Sequence, residues 1–299
     1  MKPVLKIAAG SIVAGVLIFG CKMVAAKISG STALFSDALE ALVNVASSGL
    51  ALYALIIAGK PADNEHNYGH GKAELLSAIA TGAMILLAAM LIFQRAIDAF
   101  QHPHALAPLA GGLGAGLALN ALGGGFNGLW AAVLFYAGKR GRSPALIADA
   151  EHLLSDVMTT GGILIALFAA GWFHLPVLDP VIALLIAAQI AYMGSKTVMR
   201  SISGLLDEAP PPDVTERIHG LVRQHATGAI EAHDLRMRQA GPASFLEFHL
   251  VVPGEMSVNE SHEICDRIEA ALKQEMDGAV ITIHVEPEIK AKRIGALVP

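Results

Sequence analysis

The sequence predicts an α-helical membrane protein of six transmembrane helices, followed by a C-terminal cytoplasmic α+β domain of αββαβ order. Three observations predict it. The first is composition: of 299 residues, 54% are hydrophobic and only 16% are charged, with a mean hydropathy of +0.54. Soluble globular chains average about 45–50% apolar and about 25% charged residues. The second is that the apolar residues gather into six runs long enough to cross a bilayer, which takes roughly 20 residues. The third is a change of character near residue 207, beyond which alternating charges give the pattern of an ordinary soluble domain.

The six runs fall at about 4–26, 33–58, 75–97, 109–137, 146–171 and 177–199. The first follows Lys2 and Lys6 as a signal peptide would, but its length and the five runs after it mark a retained helix. The fourth, "AGGLGAGLALNALGGGFNGLW", is glycine-rich in the manner of closely packed membrane helices. Lys2, Lys6, Lys60, Lys72, Lys139, Arg140, Arg142 and Arg200 fall on one side, Lys27 and Arg95 on the other. The positive-inside rule then places both termini in the cytoplasm. Lys22, near the outer end of the first span, is expected to snorkel toward the interface.

Two spans carry groups that lipid penalises. The second reads "ALFSDALEALVNVASS", the fifth "IADAEHLLSDVMTTGG". Counted from the first aspartate, Asp37 is followed by Glu40 at +3 and Asn44 at +7, and Asp149 by His152 at +3 and Asp156 at +7. Residues three and four apart share one helix face, so each span offers one polar stripe. Interhelical hydrogen bonding would explain one buried amide. It explains two matched acidic stripes poorly, because an intramembrane Asp costs about 2.5–3.5 kcal/mol even on lenient scales and acids repel one another. A divalent cation resolves the conflict: Glu40, His152 and Asp156 are ordinary ligands for zinc-like ions, and Asn44 adds an amide oxygen. Asp37 and Asp149 are expected one turn toward the outer end of the stripes, as supporting groups or stations on the ion's way in. Cys21 and Cys265 alone make neither a disulfide framework nor a thiolate zinc site, and the net charge of −5 without a basic tail points away from nucleic acid.

The loop "GKPADNEHNYGHGKAE" adds Asp63, His66 and His70 as a peripheral metal site. In the C-terminal part, Asp213 is expected to cap a helix with Glu216 completing a capping box, and Ser257 with Glu260 repeats that signal for a second helix. Alternating runs near 230–240 and 244–252, and "AVITIHVEP", read as strands. Glu247 and His249 share one strand face, and Thr282, His284 and Glu286 share another, each opposite apolar neighbours. With His233 and His262 these form a second candidate metal cluster.

These stretches resemble the cation diffusion facilitators, a family of divalent-metal/proton antiporters. The likeness runs almost end to end, through "SDALEALVNVASS", "PADNEHNYGHGKAE", "ADAEHLLSDVMT" and "LLDEAPPPDV". It implies a tetrahedral transport site at Glu40, Asn44, His152 and Asp156. His152 and Asp156 match the family's pattern. Glu40 and Asn44 depart from it, since the best-known members carry Asp or His at the first position and Asp at the second. The resemblance also implies a ferredoxin-like cytoplasmic domain that forms a homodimer with metal at His233, His249, His262, His284 and Glu286, where close relatives have Asp at the last. Lys72 and Asp207 match a charge pair that ties membrane helices to the dimer interface.

The expected protein is therefore not an enzyme. It is a homodimer in the lipid bilayer of the bacterial cytoplasmic (inner) membrane, with residues 1–206 as transport domain and 207–299 as metal-binding dimerisation domain. Its expected activity is divalent-cation efflux in exchange for protons by alternating access, with the ion held between the second and fifth spans. Zn(II) is favoured, with Fe(II), Co(II), Cd(II) and Mn(II) as other cargoes. The competing reading is a non-transporting metal-sensing scaffold, its membrane site degraded at Asn44. An intramembrane metallo-enzyme is disfavoured, since HExxH, a Gly-Asp protease pair and a candidate nucleophile are all missing.

Overall fold

The computed structural model describes residues 2–102, 111–141, 144–240, 243–276 and 278–292; the side chains of 2–9, 138, 140, 141, 144–149, 151 and 152 fall outside the described set. The chain divides into two compact units, one of residues 1–54 and 77–199, the other of 55–76 and 200–299.

Six long helices run α1 (Lys2–Ser29), α2 (Thr32–Ala58), α3 (Ala73–Gln101), α4 (Gly112–Gly141), α5 (Pro144–Trp172) and α6 (Leu178–Leu205). All six are long and apolar enough to span a bilayer. A cluster including Leu34, Ile92, Leu113, Leu167 and Ile186 forms the core of the first unit. The glycines of α4 are read out as close packing. A Cβ on Gly116 would stand 2.7 Å from the Ser29 Cβ and 2.8 Å from the Ala25 carbonyl oxygen, so only glycine lets α4 lie against α1. Farther along α4, a Cβ on Gly124 would come within 3.1 Å of Thr160 on α5. At the α1–α2 turn, Gly30 takes φ +69°, which glycine adopts freely. Just beyond it, Asp179 of α6 accepts hydrogen bonds from the Ser31 hydroxyl and from the Thr32 and Ala33 amides at 2.8 and 3.0 Å. A side chain from another helix thus satisfies the free N–H groups that begin α2.

In the second unit α7 (Pro212–His225), β1 (Glu231–Ala240), β2 (Ala243–Val252), α8 (Val258–Glu275) and β3 (Ala279–Pro287) follow in the expected αββαβ order. β2 is the central strand, antiparallel to β1 and parallel to β3. The parallel pair needs a crossover, which α8 supplies. Ile218 and Val222 of α7, and Ile264, Ile268 and Leu272 of α8, close over Leu246, Phe248 and Leu250 on one sheet face. The capping box of Ser257 with Glu260 is present, and it holds the Glu260 carboxyl below its ordinary value. The one expected at Asp213 is not. α7 starts two residues earlier than a cap at Asp213 would place it, with Pro212 as its first residue and no side-chain cap from Pro211. Proline supplies the helical φ and lacks the N–H that a cap would have satisfied.

Candidate functional site

The two polar stripes meet. The Asn44 side-chain amide on α2 donates to Asp156 Oδ2 on α5 at 2.7 Å. Two turns away along α2 and one along α5, the Thr160 hydroxyl donates to Asp37 Oδ1 at 3.1 Å. Glu40 lies between Asp37 and Asn44 on the same α2 face and is half-buried, while Asp156 is 7% exposed. His152 precedes Asp156 by one turn of α5, which places its backbone on the Asp156 face; its side chain, like that of Asp149, lies outside the described residues.

These contacts correct one expectation. Going from Asp37 to Asn44 along α2 corresponds to going back from Thr160 to Asp156 along α5, so the helices are antiparallel. Asp149, seven residues before Asp156, therefore falls toward the opposite end of the stripe from Asp37, not beside it. Equal spacing from a first aspartate suggested a parallel match, but consecutive odd-numbered separations in a hairpin bundle reverse the direction.

A second correction concerns Lys22. It does not snorkel: it is 2% exposed, and its Nζ donates to Asp37 Oδ1 at 2.8 Å and to Thr160 Oγ1 at 3.0 Å. Asn120 of α4 donates to Asp37 Oδ2 at 2.9 Å. Asp37 thus has donors from α1, α4 and α5 and is fully enclosed, as a buried carboxylate requires. Asn120, Thr160 and the cap residue Asp179 go unremarked in the sequence reading. Their signal was available as single polar residues inside apolar runs.

α2 is unevenly covered. From Thr32 to Ala41 nearly every residue is buried, whereas residues 42–53 are half-buried or exposed. The level of Glu40 and Asn44 marks the change.

In the loop after α2, Asp63, His66 and His70 bring ligand atoms within 4.8 Å of one another. Asp63 Oδ1 lies 3.4 Å from His66 Nδ1, and Oδ2 lies 3.5 Å from His70 Nε2. The His66 amide bonded to Asp63 at 2.7 Å, more than the Glu65 amide at 3.0 Å, holds its carboxyl below the ordinary value. Gly69, at φ +79°, turns the chain so that His66 and His70 face each other with ring centres 4.4 Å apart. One carboxylate and two imidazoles suit a zinc-like ion.

The sheet builds the third group. Register pairs His233 with His249 and His249 with His284, so three histidines stand in one row across β1, β2 and β3. Glu286 touches each of them, at 3.5 Å from His233 Nε2, 3.3 Å from His249 Nδ1 and 3.7 Å from His284 Nε2. Glu231, buried and unremarked in the sequence, lies 3.0 Å from His233 Nδ1 and accepts from the Lys292 amide. An acceptor-only partner fixes the proton on Nδ1 and leaves Nε2 free for a ligand. Asp234 joins His233 and His249 in a second set of close ligand atoms, its carboxyl held low by the Lys292 ammonium at 2.6 Å. His262 is not brought to this row. It lies exposed on α8, which packs on the apolar sheet face, and pairs with Asp266 at 3.7 Å.

Lys72 and Asp207 pair at 2.9 Å. Asp207 adopts φ +59° just past α6, and Arg238 approaches it at 3.8 Å. The hydrogen bond from Lys72 holds the Asp207 carboxyl below its ordinary value.

The chain matches the family model of the cation efflux transmembrane domain over residues 8–206, and that of the cation efflux protein cytoplasmic domain over residues 210–288. An uncharacterized transporter of Synechocystis sp. is 39% identical over 280 residues, covering 93% of this chain and 88% of its own. The cation-efflux pump FieF of Yersinia enterocolitica is 37% identical over 262 residues, covering 87% and 84%. A metal-bound C-terminal domain of the CzcD transporter from Thermotoga maritima is 25% identical, covering 28% of this chain and 100% of that one, with a TM-score of 0.25.

Proposed function

This chain belongs to the cation diffusion facilitator family, multi-pass membrane proteins that export metal cations and are not enzymes, and from that premise we propose how and what it carries. The cargo is a divalent cation, zinc first among the candidates, held between α2 and α5 by Glu40, Asn44, His152 and Asp156. Protons move the other way. Residues 1–206 do the carrying in the bacterial cytoplasmic membrane with both termini inside. Residues 207–299 bind metal and join two copies.

The Asn44–Asp156 hydrogen bond is the observation that carries this reading, because it brings the two stripes within one ligand sphere. Before the ion arrives, the amide occupies one Asp156 oxygen that the cation later takes. Rotating the amide turns a donor into an oxygen ligand, so Asn44 serves both states. Glu40 supplies the second carboxylate. His152 suits exchange with protons, since an imidazole binds metal only when neutral. The half-buried stretch of α2 beyond Glu40, against the buried stretch before it, supports access from the Ala58 end of that helix. The loop triad and the histidine row have donor sets fit for resident metal, which would cross-link backbone segments there.

The test is zinc uptake into inside-out vesicles holding the full chain under an imposed proton gradient. Uptake driven by the gradient and stopped by a protonophore is expected. Uptake indifferent to the protonophore removes the antiport, and no zinc movement in either case favours the sensing scaffold.

A further inference from the structure

Among the described residues Lys22 is the only lysine or arginine buried. Its stem passes α4 where Gly123 has no side chain, a Cβ there lying 3.5 Å from the Lys22 Cγ. The Lys22 and Asp37 side chains are 3% and 2% exposed, and the Lys22 ammonium, the Asp37 carboxylate, the Thr160 hydroxyl and the Asn120 amide nitrogen form one network. Asp37 stands three residues before Glu40, and Thr160 four after Asp156, so the pair sits about one helical pitch, roughly 5 Å, from the level of the proposed ligands.

Charge decides what the pair is for. The described carboxylates of the two stripes are Asp37, Glu40 and Asp156, three negative charges in a region that solvates charge poorly. Lys22 removes one. The remaining two equal the charge of one divalent ion, and Asn44, which is neutral, adds none.

We infer that Lys22 is a positioning residue that sets the net charge of the transport site, cancelling Asp37 so that, among the described carboxylates, Glu40 and Asp156 answer the divalent ion and balance its charge as it moves. This rests on the ligand reading given above. A neutral loaded site crosses the low-dielectric interior without carrying unbalanced charge, whereas an extra negative charge holds the ion too firmly to release it. Asn44 belongs to the same accounting: an acid there would add the charge that Lys22 takes away.

The experiment is Zn(II) flux in proteoliposomes with the full-length dimer, fitted for KM and kcat. Lys22→Met leaves three negative charges, so KM and kcat should both fall about tenfold or more. Asp37→Asn leaves one net negative charge, so KM should rise by a similar factor. The double variant Lys22→Met/Asp37→Asn restores the count of two and should return KM to within about threefold of native. A pair that only packs helices gives a different pattern: both single variants shift KM the same way, or the double variant is no better than the worse single one. Either result overturns the inference. If Lys22→Met alone does not give a folded dimer on size exclusion, the comparison of Asp37→Asn with the double variant decides, since recovery on removing a positive charge has no packing explanation. Asp156→Ala is measured alongside. Zinc flux through it removes the ligand reading and this inference together, whereas a dead Asp156→Ala with the wrong Lys22 pattern removes only this inference.

Discussion

The membrane stripes and the histidine row handle buried polarity in opposite ways. In the stripes two of the carboxylates have a dedicated partner: Lys22 for Asp37, the Asn44 amide for Asp156. In the row one carboxylate, Glu286, faces three imidazoles, with side-chain exposure rising from 3% at His233 through 36% at His249 to 66% at His284. Lipid gives no water to complete a half-satisfied site, so there the protein must supply every partner in advance. Beside water the row can leave ligand positions unfilled, and the sheet register alone keeps them aligned. On the roles proposed above, a site that passes its ion on and a site that keeps it are built on different supports.

The comparison breaks most sharply if the two regions respond alike to loss of a ligand. Asp156→Ala should reduce zinc flux by about a hundredfold or more, the scale of removing a charged ligand from a desolvated site. His249→Ala should leave flux measurable and instead lower the number of zinc ions bound to the detergent-solubilised dimer. Flux surviving the first, or vanishing with the second while the dimer stays folded, would reverse the assignment of roles.

The sheet's part is sharpened by its core. Phe248 is 1% exposed, on the face opposite His249. Phe248→Ala should destabilise the C-terminal unit by about 3–5 kcal/mol, read as an early thermal transition, with zinc at the row lost alongside it. Smaller is Asn44→Asp, which exchanges a donated hydrogen bond for carboxylate repulsion in the ion's absence. It should tighten zinc and slow turnover severalfold, roughly 1 kcal/mol in each. Metal competition in proteoliposomes measures it.

Smallest is Asp207→Asn. The Lys72–Asp207 pair is largely exposed and is worth about 0.2–1 kcal/mol. Its pH dependence has a definite sign. Because Lys72 lowers the Asp207 carboxyl from 3.8, the contribution is fully present above that value and fades as pH falls through the lowered one. A melting series across that acid range should show native and Asp207→Asn proteins converging only at its lower end.

Much of this was legible before any coordinates. Apolar run length locates spans because a bilayer has fixed thickness, and strand alternation placed His249 opposite Phe248 because successive side chains must oppose. The spacing of Glu40 with Asn44, and of His152 with Asp156, located the stripes for a similar reason. What a one-dimensional pattern lacks is azimuth and direction between elements. Lys22 looked like an interfacial lysine because nothing in α1 tells that it faces Asp37, fifteen residues on. Asp149 was assigned to the wrong end because spacing does not say which way a helix runs. His262 joins the other histidines through the family resemblance, while within one chain the helix bearing it covers the other sheet face. Asp213 lost its capping role to Pro212, a competition between two good helix starters that only backbone geometry resolves.

The central claim is that one doubly charged ion sits between α2 and α5. Anomalous scattering at the zinc edge from crystals of the full-length, zinc-loaded protein tests it most directly. A peak within coordination distance of both Glu40 and Asp156, lost in Asp156→Ala crystals, is the expected result. Peaks confined to the Asp63–His70 loop and the histidine row, with the space between Glu40 and Asp156 featureless, would contradict it.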